Sequence, residues 1–359
     1  MRTRTPSEVR GTSIAYRPEL DGIRGLAILI IVLHHMGYVG KHYLGGRGFL
    51  AVDIFFALSG FLITQILLSY SERAVGLRTF YRRRVARLYP VLLLSVVGVS
   101  AYFSGDWNFP SGWPAVQSVL YIKNFYHWGG VLGPLWSLAA EEQFYLIFPL
   151  ILLLGLKFLK RNRLTALLII WLVVVWIAGW KSSAPSYDFN KDGAFNLVVF
   201  RPSIILVGAL IALHKVKLEH FVARYRNLFY AWLVIFIFFT ITTQFPPLAG
   251  ISTGLLILIL SEPVREICWF ARGLYRALSF KPLAWLGLLS YSIYIWHLPL
   301  IFISSHRFTM GSVGPLWLFL AKLLACAVVS FYLIERPLLK LFTKHLRNPR
   351  LVHGEIWSK

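Results

Sequence analysis

The stretch RPELDGIRGLAILIIVLHH, residues 17–35, places Arg24 and His35 with ten residues between them on a segment that is apolar from Gly25 up to the histidines. A helix rising ~1.5 Å per residue carries His35 about 16 Å beyond Arg24, near the middle of a ~30 Å hydrocarbon core. An ionisable group at that depth is costly to keep and marks a functional position by default. The plainer reading, in which His34 and His35 are neutral packing residues, holds for this segment alone and weakens once the rest of the chain is read with it.

Working outward, the whole chain has the composition of a polytopic membrane protein. Hydrophobic residues make up 57% and charged residues 14% of its 359 positions, outside the range of soluble domains. Apolar runs follow one another at roughly 26–44, 49–70, 88–104, 135–156, 164–180, 195–213, 228–243, 246–261, 283–303 and 315–334. They are continuous and do not alternate, so each predicts a helix and not a barrel strand. The expected fold is all-α, with about ten transmembrane helices. The stretch 113–128 is amphipathic and too short to span, which suits a re-entrant or interfacial helix.

The net charge of +22 invites a nucleic-acid reading, but its distribution excludes one. With ten spans and the N-terminus inside, cytoplasmic segments hold 29 of the 37 Lys and Arg residues. The outer loops hold Lys41, Arg47, Lys123, Lys181, Lys191 and Arg307, and only Arg201 and Lys322 fall inside spans. This asymmetry predicts both termini in the cytoplasm. It divides the chain into a cytoplasmic segment (1–25), a membrane domain (26–338) and a basic cytoplasmic tail (339–359). The first apolar run follows ~25 polar residues and lacks a small-residue cleavage site, so it reads as a retained anchor. Cys268 and Cys326 fall on separate elements, which argues against a structural disulfide, and no Cys/His spacing supports a metal. The lack of an evident internal repeat counts weakly against a transporter of duplicated halves.

That topology assigns depth to the polar groups. Asp53 in GFLAVDIFFALSGFLIT lies about two turns below the outer surface, and Glu141 and Glu142 in LWSLAAEEQFYLIFP lie at a similar level. His297 in SYSIYIWHLPL reaches the outer half as well, where a packing role is the simpler account of it. Glu141 and Glu142 point ~100° apart, so they cannot face one cavity equally. A carboxylate such as Asp53 beside an imidazole would orient its tautomer and raise its basicity, the arrangement that activates a hydroxyl. On the opposite side, LRTFYRRRVARLYP puts Arg84 and Arg87 on one helical face, suited to clasping phosphate with planar donors. Ordinary positive-inside anchoring is the competing account of these arginines.

Five signatures then occur in order: RPELDGIRGLAIL leading to His35, VDIFFALSGFLIT, FYRRRVARLYP, LWSLAAEEQFYLIFP and LSYSIYIWHLPL, with IERPL closing at Leu338. Over residues 16–338 the chain resembles the bacterial membrane-bound acyltransferase-3 family. The resemblance implies an enzyme of the bacterial cytoplasmic (inner) membrane. Such an enzyme moves an acyl group, most often acetyl, from cytoplasmic acyl-CoA to a hydroxyl of a surface or lipid-linked glycan. It implies no metal and no nucleic-acid partner; the partners are membrane lipid, the carbohydrate acceptor and the acyl-CoA cosubstrate. His35 takes the place of the family's essential histidine, with His34 where an aromatic or aliphatic residue is usual. Arg24, Arg84 and Arg87 take the places of residues that handle the donor. Asp53, Glu141 and Glu142 join His35 as candidate catalytic groups. Some members carry a fused extracytoplasmic hydrolase-like domain, and none is expected here. Two other readings stay open: an acyltransferase for a small glycoside such as a macrolide, and, from a different class, a proton-coupled glycan transporter.

Overall fold

The computed structural model describes residues 16–36, 48–72, 76–102, 112–125, 130–182, 199–243, 245–304 and 316–343, and every regular element among them is a helix. Lys41, Arg47, Lys191 and Arg307 of the expected outer loops, and most of the expected N-terminal segment and basic tail, lie outside these residues. The chain opens with α1 (Pro18–His35), α2 (Phe49–Glu72) and α3 (Leu77–Tyr102). The short α4 (Trp113–Val119) leads to a 3₁₀ turn (Lys123–Phe125), followed by α5 (Leu135–Phe158) and α6 (Arg161–Ser182). Next come α7 (Ile204–Leu213), α8 (Lys215–Arg224), α9 (Arg226–Thr243), α10 (Pro246–Ile259), α11 (Glu262–Ile267) and α12 (Trp269–Leu278). The last helices are α13 (Lys281–Leu288), α14 (Ser290–Ser304), α15 (Leu316–Val329), a π-helical turn (Ser330–Glu335) and α16 (Arg336–Thr343).

Five helical runs are long and apolar enough to cross a membrane: α2, α3, α5, α6 and the stretch Leu316–Phe342 joining α15 to α16. Two bent pairs raise the number to seven, α8 with α9 at 103° and α13 with α14 at 70°. The other three apolar segments form shorter or more polar helices. Helix α1 carries Glu19, Asp21 and Arg24 in its first two turns. Helices α7 and α10 have 10 and 14 residues, or about 15 and 21 Å, short of a full hydrocarbon core. Helices α5, α6 and α9 turn rows of large apolar side chains outward, among them Ile147, Leu150, Ile170, Val174, Val234 and Phe238. Such faces are stable against lipid and costly against water. The protein is an all-helical, multi-pass membrane protein.

Two glycine contacts hold the centre together. A methyl group added to Gly60 on α2 would strike the carbonyl oxygen of Ile205 on α7, and one added to Gly208 would strike that of Ala57 on α2. The two backbones cross at the closest possible approach, the packing that small residues permit between membrane helices. Around this crossing, Ile28, Ile31, Phe56, Ile204, Ile205, Ile293 and Leu298 form one buried cluster joining α1, α2, α7 and α14.

The described part of the amphipathic stretch, residues 112–125, packs onto α3 and α5. Asn124 donates to Gln143 Oε1 at 3.0 Å, and Gln143 donates back to Asn124 Oδ1 at 2.8 Å and to the Tyr121 carbonyl at 2.7 Å. Tyr89, about 18 Å along α3, donates its hydroxyl to the Val119 carbonyl at 2.8 Å. The segment therefore packs against the middle of α3 and α5 and does not lie across their ends.

Candidate active site

A cavity opens between α1, α2, α3, α5 and α14, with an empty space of about 1220 Å³, mouth included. Arg83, Arg84 and Arg87 from α3 and Arg24 from α1 line it together with Ser59, Glu141, Tyr145, Tyr291 and Tyr294. The Arg-x-x-Arg spacing puts both α3 guanidinium groups on one face, as the helical period requires. Arg24 and Arg87, far apart in sequence, meet across the same space.

Arg24, Arg84 and Arg87 already have acidic company, while Arg83 donates to the Tyr70 hydroxyl at 2.9 Å. Arg84 forks onto both oxygens of Glu142, through Nε to Oε2 at 3.4 Å and through a shorter Nη2 contact to Oε1. Its guanidinium lies over the Tyr145 ring, 3.5 Å from the centroid. Arg24 pairs with Asp21 one turn earlier at 3.2 Å. Arg87 lies within electrostatic reach of Glu335, Arg24, Arg84 and Asp21, and Glu335 takes a short hydrogen bond from Ser292. Three cations gathered in a membrane protein would repel one another, and paired carboxylates make the cluster tolerable.

The two adjacent glutamates diverge as the helical period demands. Glu142 faces α3 and holds Arg84. Glu141 faces the cavity and α2, accepting hydrogen bonds from Ser59 Oγ at 3.2 Å and Tyr145 Oη at 3.4 Å.

His35 lies one helical turn along α1 from the cavity-lining residue Ile31. Its Nδ1 is 3.0 Å from the Ile31 carbonyl and 3.3 Å from Nε2 of His297. His297 is fully buried, with its own Nδ1 2.6 Å from the Tyr294 carbonyl. His34 is not among the cavity-lining residues: its ring packs edge-on against Phe49 and against His35, with centroids 5.7 and 5.3 Å apart, and fills the space that a side chain on Gly48 would need.

The expected pairing of Asp53 with His35 is corrected here. Asp53 is fully buried and its carboxylate is held by Arg201 Nη1, at 3.0 and 3.1 Å to its two oxygens. A carboxylate buried among apolar helices gains more from a full positive charge than from a neutral imidazole. Arg201 is itself only 4% exposed and lies over the Phe49 ring. The sequence singled it out as one of two cations inside the spans without revealing its partner. His297 was visible as well, but as a packing residue. Ser59 and Tyr145 left no separate signal, and Glu335 stood out only as part of the closing IERPL.

A family model for an acyltransferase domain matches residues 17–335. The chain is 30% identical to the peptidoglycan O-acetyltransferase OatA of Listeria monocytogenes, over 90% of this chain and 56% of that protein. It is 31% identical to the putative peptidoglycan O-acetyltransferase YrhL of Bacillus subtilis, over 90% and 55%. With the O-acetyltransferase OatA of Staphylococcus aureus the identity is 28%, over 90% and 57%. The chain thus spans a little over half the length of these relatives. No solved structure matches it. The match from the Arg24 helix to Glu335, covering all the arginines and both histidines of the cavity region, shows that the chain belongs to the acyltransferase-3 family.

Proposed function

We propose that the protein is a membrane O-acyltransferase carrying acetyl from cytoplasmic acyl-CoA to a hydroxyl of peptidoglycan or another surface glycan, across the bacterial inner membrane. In this reading the chain has ten spans with both termini cytoplasmic, a short cytoplasmic segment at 1–25, the membrane domain at 26–338 and a basic tail at 339–359. The observation that carries the reading is the arginine-lined cavity, which starts at Arg83, Arg84 and Arg87 and ends one turn short of His35.

The donor's phosphates sit at the mouth, on Arg84, Arg87 and Arg24. Its pantetheine arm, ~15–20 Å in extension, matches the ~16 Å from Arg24 to His35. His35 accepts the proton of the acceptor hydroxyl as the oxygen attacks the thioester carbonyl. The carbon–sulfur bond then breaks, and the departing thiolate takes the proton back from the imidazolium. Glu141, hydrogen-bonded by Ser59 and Tyr145, lies on the donor's path. Thioester cleavage drives the transfer, and the reading requires no metal.

Purified protein in lipid nanodiscs, given acetyl-CoA and peptidoglycan fragments, should release free CoA without an ion gradient and add the mass of one acetyl group to the glycan. Movement of glycan that depends on a gradient, with no CoA released, would replace this reading with the transporter.

A further inference from the structure

We infer that His297 is a positioning residue that, together with the Ile31 carbonyl, holds the tautomer of His35 and so leaves Nε2 of His35 as the reacting nitrogen. The inference rests on the acyltransferase reading for its kinetic consequence but on hydrogen-bond geometry for its content.

Carbonyl oxygens only accept hydrogen bonds. The Tyr294 carbonyl lies 2.6 Å from Nδ1 of His297, so that nitrogen carries the proton. A neutral imidazole has one N–H, which makes Nε2 of His297 a bare lone pair. That lone pair lies 3.3 Å from Nδ1 of His35, and the Ile31 carbonyl lies 3.0 Å from the same nitrogen. Two acceptors converge on Nδ1 of His35, so it too carries its proton and shares it between them. Nε2 of His35 is then the unprotonated nitrogen. The opposite tautomer would set the lone pair of Nδ1 against both acceptors at once.

Both anchoring carbonyls belong to residues at the end of the cavity, since Ile31 and Tyr294 line it. His297 is fully buried behind them and acts through His35 alone. Among the described residues, the hydrogen bonds of His35 go to Ile31 and His297, and none goes to a carboxylate. During transfer the hydroxyl proton moves to Nε2 of His35. The resulting imidazolium donates from Nδ1 to the neutral nitrogen of His297, whose own proton stays on its Nδ1, hydrogen-bonded to the Tyr294 carbonyl. When the thiolate takes the Nε2 proton, the original tautomer returns. An imidazole fills the role often given to a carboxylate, holding the base in register without placing a negative charge in the membrane.

The test is ¹⁵N NMR of histidine-labelled protein in nanodiscs, with the His35 signals assigned by their loss in His35→Gln. The expected result is neutral His35 protonated at Nδ1. His297→Leu should shift it toward the Nε2-protonated form and lower kcat for CoA release on the order of 10²-fold with KM for the donor unchanged. His297→Gln, whose side-chain oxygen still accepts, should keep the tautomer and restore most of the rate. Nε2 protonation in the unaltered protein would overturn the inference, as would equal losses in the Leu and Gln variants. If His297→Leu does not fold, the spectrum of the unaltered protein and the Gln variant still decide. Absence of CoA release from unaltered protein counts against the acyltransferase reading, and the NMR result stands apart from it.

Discussion

Arg201 and Asp53 form an ion pair in the apolar centre of the protein, with one guanidinium nitrogen reaching both carboxylate oxygens at 3.0 and 3.1 Å. Both side chains are at most 5% exposed, and the pair joins the start of α2 to the segment that leads into α7. These are the same two helices whose backbones meet at Gly60 and Gly208. The pair closes the helix crossing from its end while the glycines close it from its middle.

Removing one partner strands the other. Asp53→Leu or Arg201→Leu alone should destabilise the fold by about 3–5 kcal/mol, whereas the double variant should recover much of that loss. Denaturant titration in detergent micelles measures this. Full stability in either single variant would show that the charges are independent of each other.

The glycine crossing makes a steric prediction. Gly208→Val should cost about 1–3 kcal/mol or more, because the added atoms overlap the Ala57 carbonyl and helices cannot separate locally without losing the surrounding contacts. Gly273, which has open space around it, should accept Ala with little change. Thermal unfolding of the two variants side by side checks the contrast.

At the two adjacent histidines, His35→Ala should abolish acyl transfer while expression is kept. His34→Phe should retain activity, because its ring packs against Phe49 and Gly48 and away from the cavity. CoA release by both variants is the measurement. Activity in the His35 variant with none in the His34 variant would reverse the assignment.

The proposed donor site calls for a compensated design. Arg84→Ala leaves Glu142 without its partner, so Arg84→Ala combined with Glu142→Gln separates binding from folding. That double variant and Arg87→Ala should each weaken acyl-CoA binding roughly tenfold or more, the effect of losing a ~1.5–3 kcal/mol charge-assisted contact. Calorimetry showing unchanged affinity in both would reduce these arginines to topological anchors.

Orientation is open to labelling. In a background lacking Cys268 and Cys326, a cysteine introduced at Arg83 should react only from the cytoplasmic side, as the positive-inside rule requires. Labelling from outside would invert the arrangement of donor and acceptor.

Much of the site was legible because helical period is local. The spacing of Arg84 and Arg87 determined their shared face, and the adjacency of Glu141 and Glu142 determined their divergence. The ten-residue gap between Arg24 and His35 placed one at the cavity wall and the other past its end. What period does not encode is which helix stands across the way. Asp53 and His35 looked like neighbours because both lay at one depth, yet the partner of Asp53 is 148 residues distant in sequence. The histidine pair was hidden for the same reason. Among the described residues, five to seven helical runs are long enough to cross a membrane, and the 195–213 run holds the 10-residue helix α7.

The carboxylates around the arginines also decide what the cavity ignores. With Asp21 on Arg24, Glu142 on Arg84 and Glu335 close to Arg87, three of the four arginines lining the cavity have a carboxylate beside them. A lone inorganic phosphate would have to break an existing pair for a single new contact. A ligand bearing several phosphates on one scaffold can exchange several partners in one event, so the surplus favouring its entry grows with each group it carries. Under the proposed reading, compensation at rest would favour a polyvalent donor over small anions that bring only one charge.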